Sequence, residues 1–172
     1  RWRALRMIGL TVGEIIRNTP ILVQLLWVYY VMPITLGINL DAWTALVIGL
    51  SLYSSAFIAE AYRAGIQSVP LGQREAAQVL GMSPFQTFTR VTLPQAVRMT
   101  LPPLAANFVQ LIKYSSLGSV ISVGEITRRG MELSSSMFRP LEIFTFIAVV
   151  YFLICWPLAM AIRVWERRLS SR

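Results

Sequence analysis

Long apolar stretches without charge constrain this chain more than any other feature. Residues 143–162 form a run of twenty residues without a charged side chain, and residues 42–59 form a run of eighteen. A helix that spans a membrane needs ~20 predominantly apolar residues. Helices buried in a large soluble core are the alternative, but 172 residues cannot enclose several such helices on all sides. The sequence therefore predicts an all-α, polytopic membrane protein.

Two further stretches complete the predicted set of spans. Residues 19–36 carry no charge, and residues 101–124 are interrupted only by Lys113. A charge in mid-span costs roughly 2.5–3.5 kcal/mol on insertion scales, so we expect Lys113 to face protein or water. The prediction is one transmembrane domain over residues 1–172, with spans at about 14–36, 42–62, 99–124 and 142–164.

The amino-acid composition limits which metal sites, disulfides and catalytic groups this chain can form. The chain has no histidine and one cysteine, which disfavours zinc fingers, disulfide frameworks and histidine-based catalytic triads. The net charge of +8 would suggest nucleic acid on a soluble protein, but on an apolar chain it marks cytoplasmic loops. We expect no catalytic residue, no metal, no cofactor bound by this chain and no nucleic-acid partner.

Basic residues are distributed unevenly between the two sides of the predicted spans. Eleven of the sixteen fall on one side and three on the other, beyond the third span. Cytoplasmic loops carry the excess of Arg and Lys. The loop between the second and third spans and the C-terminus are therefore predicted to be cytoplasmic. The eleven are Arg1, Arg3, Arg6, Arg63, Arg74, Arg90, Arg98, Arg163, Arg167, Arg168 and Arg172.

The cytoplasmic loop between the second and third spans, residues 62–98, is too long for a simple turn and predicts two short helices. Pro70 suits the start of a helix over 71–80, and Gly81 suits its left-handed end. Ser83 and Pro84 then predict the start of a second helix that runs to about residue 90, with a break at 93–94. Such a pair of helices fits either a groove on a partner or the bilayer surface.

The same loop carries a spaced motif. Glu75-Ala76-Ala77, three residues, Gly81, nine residues and Val91-x-Leu93-Pro94 follow one another. This resembles the EAA loop, EAA-x3-G-x9-I-x-LP, of permease subunits in binding-protein-dependent ABC importers, with Val in place of Ile. The resemblance implies a coupling loop over about 66–94. Its ATPase-coupling residues would be Gly72, Glu75, Ala76, Ala77, Leu80, Gly81, Leu93 and Pro94.

Further segments resemble the branch of this family that imports polar amino acids. Residues 17–24 resemble its R-G-T-P-L-L-V-Q segment, and residues 113–117 resemble its K-D-T/S-S-L segment. The resemblance implies a type I ABC-importer permease-like helix bundle with five spans, of which four are visible and the first would precede Arg1. Tyr114 stands where many members have Asp, which weakens the case for a cationic amino acid.

The resemblance also implies partners. They are a cytoplasmic ABC ATPase dimer that holds ATP and Mg, a second permease chain (the same or homologous), an extracytoplasmic substrate-binding protein, the amino-acid substrate and membrane lipid. The sequence contains no G-x-x-x-x-G-K-[ST] phosphate loop, so this chain is not itself the ATPase. The expected location is the bacterial cytoplasmic (inner) membrane.

Polar residues of the third span suggest a substrate path. Asn107, Gln110, Lys113 and Tyr114 share one broad helical face, and Ser115 follows them. Their amide, ammonium and hydroxyl groups suit the carboxylate and amine of a zwitterion, but packing against neighbouring helices explains Asn107 and Gln110 equally well. Lys113 would also be explained by snorkelling to the outer interface.

Three other expectations follow from the sequence. Glu60 and Arg63 have the i,i+3 spacing of an ion pair. The segment 124–130 is expected outside the membrane, where Glu125, Arg128 and Arg129 either meet a binding protein or lie in a solvated loop. An ion-coupled secondary transporter of small polar solutes is the alternative function. It would need carboxylates within the membrane, yet only Glu14 and Glu60 come near, at span ends.

Overall fold

A computed structural model describes residues 2–170, and no strand occurs within them. Arg1 and Arg172, both assigned above to the cytoplasmic side, lie outside the described residues. The α-helices in chain order are α1 (Trp2–Asn18), α2 (Ile21–Leu26), α3 (Met32–Leu36), α4 (Ala42–Gln67), α5 (Leu71–Val79), α6 (Pro84–Thr87), α7 (Leu93–Tyr114), α8 (Ile126–Met137) and α9 (Pro140–Ser170).

The first predicted span is broken by a sharp corner. Segments Arg6–Asn18 and Ile21–Leu36 meet at 108°. Gln24 builds this corner, because its Nε2 donates to the Ile16 carbonyl at 2.6 Å and to Thr19 Oγ1 at 2.6 Å. The carbonyls that α1 leaves unpaired at its end thus gain a partner across the corner. The predicted span over 14–36 is therefore not one straight helix, since it includes the end of α1, the corner and the segment that begins at Ile21.

Two π-helical turns interrupt otherwise regular helices. The turn Trp27–Val31 joins α2 to α3, and the turn Phe88–Thr92 joins α6 to α7. The first turn is followed directly by Met32-Pro33, and the second is followed directly by Leu93-Pro94. A wider i→i+5 turn accommodates a proline that has no N–H to donate. The predicted break at 93–94 is consequently wrong: the chain stays helical from Pro84 to Tyr114.

α4 and α7 form the central pair of the bundle and approach closely at Gly65. A Cβ at this position would lie 2.2 Å from Thr100 Cγ2 and 3.0 Å from the Ala96 carbonyl oxygen. Only glycine permits this approach. A second cluster, between α2, α4 and the segment after α7, forms the buried apolar core. Its members are Leu25, Val28, Ala45, Leu46, Ile121 and Val123.

The third predicted span, 99–124, is not one helix. α7 ends at Tyr114 and passes into a 3₁₀ segment, Ser115–Ile121, which stops at Ser122 with φ +66°. Serine hydroxyls accompany this tightening, since Ser115 Oγ donates to the Ile112 carbonyl at 2.7 Å and Ser116 Oγ to the Lys113 carbonyl at 2.6 Å. Such local bonds compete with regular helix.

Length and apolarity identify fewer spans than predicted. α4 and the Pro140–Arg167 part of α9 are each long and apolar enough to cross a membrane, and the bent pair at the corner counts as a third if taken as one span. Among the residues described, α7 does not qualify; it carries the charged residues Arg98 and Lys113 and the amides Asn107 and Gln110. The four predicted spans thus become two or three by this criterion.

Candidate functional site: an exposed helix pair and a cleft

Within the predicted coupling loop, α5 follows a short linker at the end of α4. Pro70 precedes its first turn with an extended backbone. Gly81 ends it at φ +76°, where the Gly81 N–H donates to the Gln78 carbonyl (2.9 Å) and the Met82 N–H to the Ala77 carbonyl (3.1 Å). Glycine adopts this left-handed backbone without strain, so the predicted end of the first helix is confirmed.

The start of the second helix is also confirmed. Ser83 Oγ accepts from the Gln86 N–H at 3.3 Å, and Gln86 Oε1 accepts from the Ser83 N–H at 2.9 Å. This is a reciprocal capping box with Pro84 in the first turn. Because the four-residue α6 has its own cap, the turn between α5 and α6 is held in place without help from a partner.

The outer surface of this helix pair is apolar and unusually exposed. Val79, Leu80 and Phe85 are 87%, 81% and 75% exposed. Glu75 lies on the same helix and forms no ion pair within the described part of the chain. Exposed apolar side chains of this size next to a free carboxylate are typical of an interaction surface.

The predicted coupling residues take different positions in the structure. Most are exposed, whereas Ala77 is buried and faces the bundle. At Gly72 and Gly81 an added Cβ would meet nothing within 4 Å, so space does not require glycine at either position. The exposed members are Gly72, Glu75, Ala76, Leu80, Gly81, Leu93 and Pro94.

A cavity of about 340 Å³, lined by both polar and apolar side chains, lies between α4 and α7; we call it the α4–α7 cleft. Asn107, Gln110 and Tyr114 line it from α7, and Tyr53 and Phe57 line it from α4. The Tyr53 and Tyr114 hydroxyls are 3.5 Å apart, and their rings meet edge to face with centroids 5.4 Å apart. Three of the five predicted path residues are therefore brought together.

The other two predicted path residues lie elsewhere. Lys113 is exposed and lines two cavities on the α9 side, of about 430 and 640 Å³, each of which also reaches Arg163. Ser115 donates to its own helix and does not line the cleft. Tyr53 is a lining residue that the sequence reasoning missed. Its only signal was an aromatic pair at i,i+4 with Phe57 inside an uncharged run.

An ion-pair network ties α1 to α4. The predicted pair is confirmed, with Arg63 Nη2 2.8 Å from Glu60 Oε1. Glu60 Oε2 also lies 3.1 Å from Arg17 Nη1, which the sequence did not predict. Arg17 in turn pairs with Glu14 at 2.5 Å. The end of α1 and the second half of α4 thus meet near the corner between α1 and α2.

The segment after α7 is helical where a contact loop or solvated loop was expected. Glu125 caps α8, because its carboxylate accepts from the N–H groups of Thr127 (2.8 Å) and Arg128 (2.7 Å) and from the Tyr151 hydroxyl (3.2 Å). Arg128 and Arg129 both pair with Glu132. Hydrogen bonds from Arg129 first, and then from Arg128, hold the pKa of the exposed Glu132 carboxyl below its usual value.

Within residues 2–170 no three His, Cys, Asp or Glu side chains gather as a metal site.

The model of one protein family, described as the binding-protein-dependent transport system inner membrane component, matches residues 1–171. The chain belongs to this family. The predicted resemblance to ABC-importer permeases is therefore confirmed.

Two transport proteins are similar to this permease in sequence. The glutamine transport system permease protein GlnP of Escherichia coli (strain K12) is 40% identical over 164 residues, covering 95% of this chain and 75% of GlnP. The L-cystine transport system permease protein TcyB of Bacillus subtilis (strain 168) is 40% identical over 169 residues, covering 98% and 72%.

Solved structures confirm the fold class. A crystal structure of an amino acid ABC transporter with histidines matches with a TM-score of 0.91 at 37% identity, covering 96% of this chain and 77% of that one. An inward-facing structure of the MetNI methionine ABC transporter matches with a TM-score of 0.76 at 20% identity, which shows the fold alone. The permease therefore has the all-α fold of an ABC-importer membrane subunit.

Proposed function

We propose that this permease is the transmembrane subunit of an ATP-driven importer that moves a polar amino acid across the cytoplasmic membrane. The observation that carries the proposal is the exposed pair of helices α5 and α6. The turn between them is fixed at both ends, and α6 continues through the π-turn into α7, which lines the α4–α7 cleft. Family membership and the names of GlnP and TcyB support an amino acid as cargo. An ion-coupled transporter is not favoured.

The partners follow from this assignment. A separate ABC ATPase dimer holds ATP and Mg, and Leu80, Phe85 and Glu75 enter its cleft, because they form an exposed apolar surface with a free carboxylate. This chain performs no catalysis. A second permease chain, an extracytoplasmic binding protein and membrane lipid complete the assembly. The side with more basic residues, which includes the coupling loop and the C-terminus, faces the cytoplasm.

Transport then follows from a shift between two states. Nucleotide binding closes the ATPase dimer, and α5 moves with the ATPase to which it is docked. Swinging a two-state equilibrium from 1:99 to 99:1 takes roughly 5.5 kcal/mol. That free energy comes from the ATPase. The permease supplies the mechanical connection and the path.

The α4–α7 cleft supports a neutral polar substrate. No carboxylate is among its lining residues, and Tyr114 contributes a hydroxyl where many members of the branch have Asp. The Asn107 and Gln110 amides can donate to a substrate carboxylate and accept from its ammonium group. A neutral amino acid needs only this hydrogen bonding, whereas a cationic side chain would enter the cleft without a counter-charge.

The docking assignment is tested by Glu75→Lys and Gly81→Asp in the transporter reconstituted with its ATPase and binding protein. Both substitutions place a charge on the docking surface or its turn, so we expect loss of substrate-stimulated ATP hydrolysis while membrane insertion persists. Glu142→Lys, a matched charge reversal at the start of α9, is the control. Normal substrate-stimulated hydrolysis in both variants would overturn the assignment.

The substrate path is tested by Asn107→Leu and Gln110→Leu, with Ser115→Ala as control because Ser115 bonds its own helix. Uptake of labelled amino acids is measured across a panel of neutral, cationic and acidic substrates. We expect a higher substrate concentration at half-maximal uptake for the two leucine variants, with ATPase binding intact. Uptake unchanged across the panel would assign both residues to helix packing.

A further inference from the structure

The coupling helix α5 has little apolar attachment to the rest of the bundle. Ala77 is its only buried residue, and Val69 is buried in the linker before it. Leu71 and Val79, at its two ends, are exposed. A helix of nine residues held by one alanine methyl group gains little from burial. Its orientation relative to the spans must therefore depend on other contacts.

Polar side chains supply those contacts on two sides. The Arg74 guanidinium donates to the Ile66 carbonyl in the last turn of α4. Such carbonyls have no partner within their own helix. On the other side, Gln95 Nε2 near the start of α7 donates to Gln73 Oε1 at 2.5 Å and to the Val91 carbonyl at 2.9 Å. One bond holds α5 to α4, and the other holds it to α7.

These two contacts close the coupling loop into a triangle of helices. Its other corners are the linker 68–70, which joins α5 to α4, and the turn 80–83, which joins α5 to α6. α4 and α7 are also the helices that line the cleft and that pack at Gly65. A force applied to the exposed side of α5 therefore reaches both walls of the cleft only if the triangle keeps its shape.

We propose that Arg74 and the Gln73–Gln95 pair are positioning residues that fix α5 to α4 and α7 and so convert movement of the docked ATPase into movement of the α4–α7 cleft. The inference rests on the proposed function of α5 as the docking helix. These side chains do not dock; they prevent the docked helix from turning independently. Their loss uncouples ATP hydrolysis from transport while the ATPase stays bound.

The test uses the complete transporter (this permease, its ATPase and its binding protein) in proteoliposomes. The measurement is the number of substrate molecules imported per ATP hydrolysed, together with the amount of ATPase that co-purifies. Gln73→Leu, Gln95→Leu and Arg74→Met remove the contacts at nearly constant side-chain size. Gln67→Leu is the matched control, because the Gln67 side chain forms no hydrogen bond among the described residues.

We expect each of the three variants to lower the import per ATP about three- to tenfold, the factor by which one hydrogen bond of ordinary net strength shifts an equilibrium. The Gln73→Leu/Gln95→Leu double variant should be no worse than Gln95→Leu alone, since Gln95→Leu already removes the shared contact. Gln73→Glu/Gln95→Lys replaces the hydrogen bond with an ion pair and should restore the ratio. ATPase binding should equal that of Gln67→Leu throughout.

Three results would overturn the proposal: an unchanged ratio in Gln95→Leu and Arg74→Met, additive effects of the two glutamine substitutions, or loss of bound ATPase. The last would make these side chains docking residues. Failure of the docking assignment itself is distinguishable, because it would appear as normal hydrolysis in Glu75→Lys whatever the glutamine variants do. Should one variant not insert, the ion-pair variant and Arg74→Met still decide the outcome.

Discussion

Replacing Gly65 with alanine is expected to push α4 and α7 apart at the level where the coupling loop joins them. The added Cβ would lie 2.2 Å from Thr100 Cγ2, against about 3.5–4.0 Å for an ordinary contact between carbon atoms. Thr100 cannot turn aside easily, because it is buried, its χ1 is stiff and its Oγ1 donates to the Val97 carbonyl at 3.0 Å. The backbone carbonyl of Ala96 blocks the other direction.

The expected cost is the difference between two effects. Overpacking a tight contact typically costs about 1–3 kcal/mol, and this contact belongs at the upper end because a backbone atom and a stiff side chain resist it. Alanine recovers about 0.8–1.0 kcal/mol through its helix propensity. We therefore expect Gly65→Ala to destabilise the permease by about 1–2 kcal/mol, which lowers the unfolding midpoint by roughly 2–4 °C per kcal/mol for a chain of this size.

The sole cysteine offers the assay. Cys155 is buried in α9, so a thiol-reactive dye in detergent solution reports its exposure as the temperature rises. Gly13→Ala, in α1 where an added Cβ meets nothing within 4 Å, should raise the midpoint. Thr100→Ser removes the clashing methyl group and should restore most of the loss in Gly65→Ala. A midpoint for Gly65→Ala equal to that for Gly13→Ala would refute the packing argument.

Three further predictions use the same assay. Gln24→Leu should lower the midpoint, since it removes the donor that the Ile16 and Thr19 groups share at the corner, a loss of about 1–3 kcal/mol. Phe138→Gly should raise the midpoint by the equivalent of about 1–2 kcal/mol, because Phe138 is exposed and its backbone is held at φ +55°. An unchanged midpoint would show that the contacts of the Phe138 ring stabilise the fold by as much as the left-handed backbone destabilises it. Asp41 caps α4, and hydrogen bonds led by that from the Thr44 hydroxyl hold the pKa of its carboxyl below the usual value. Its stabilisation is therefore present above that usual value and lost as the pH falls below about 4; Asp41→Asn should abolish this pH dependence, and its persistence would assign it to another carboxyl.

The sequence predicted the features that depend on residues close together in the chain. The cap at Ser83, the left-handed Gly81 and the Glu60–Arg63 pair each depend on residues within four positions of one another, and each is confirmed. The apolar runs likewise predicted α4 and α9, because twenty apolar residues have few alternatives to a spanning helix. The EAA spacing led to the family, which the comparisons confirm.

Contacts between distant segments were not readable. Tyr53 meets Tyr114 only because α4 and α7 pack closely, and Arg17 meets Glu60 only because the corner turns α1 back against α4. The corner itself depends on Gln24, an uncharged polar residue whose bonds to Ile16 and Thr19 the composition of residues 19–36 does not indicate. A hydropathy pattern records composition along the chain, and it contains no information about which faces meet.

The π-turn at Phe88–Thr92 sets the rotation of α6 relative to α7 about their shared helix axis. Such a turn holds one residue more than the α-helix it interrupts. Deleting one residue there would rotate the exposed α5–α6 surface by about 100° relative to the α4–α7 cleft, the angle of one helical residue. The orientation of α6 relative to the cleft-lining face of α7 therefore depends on the number of residues in this turn, and not only on the side chains that pack around it.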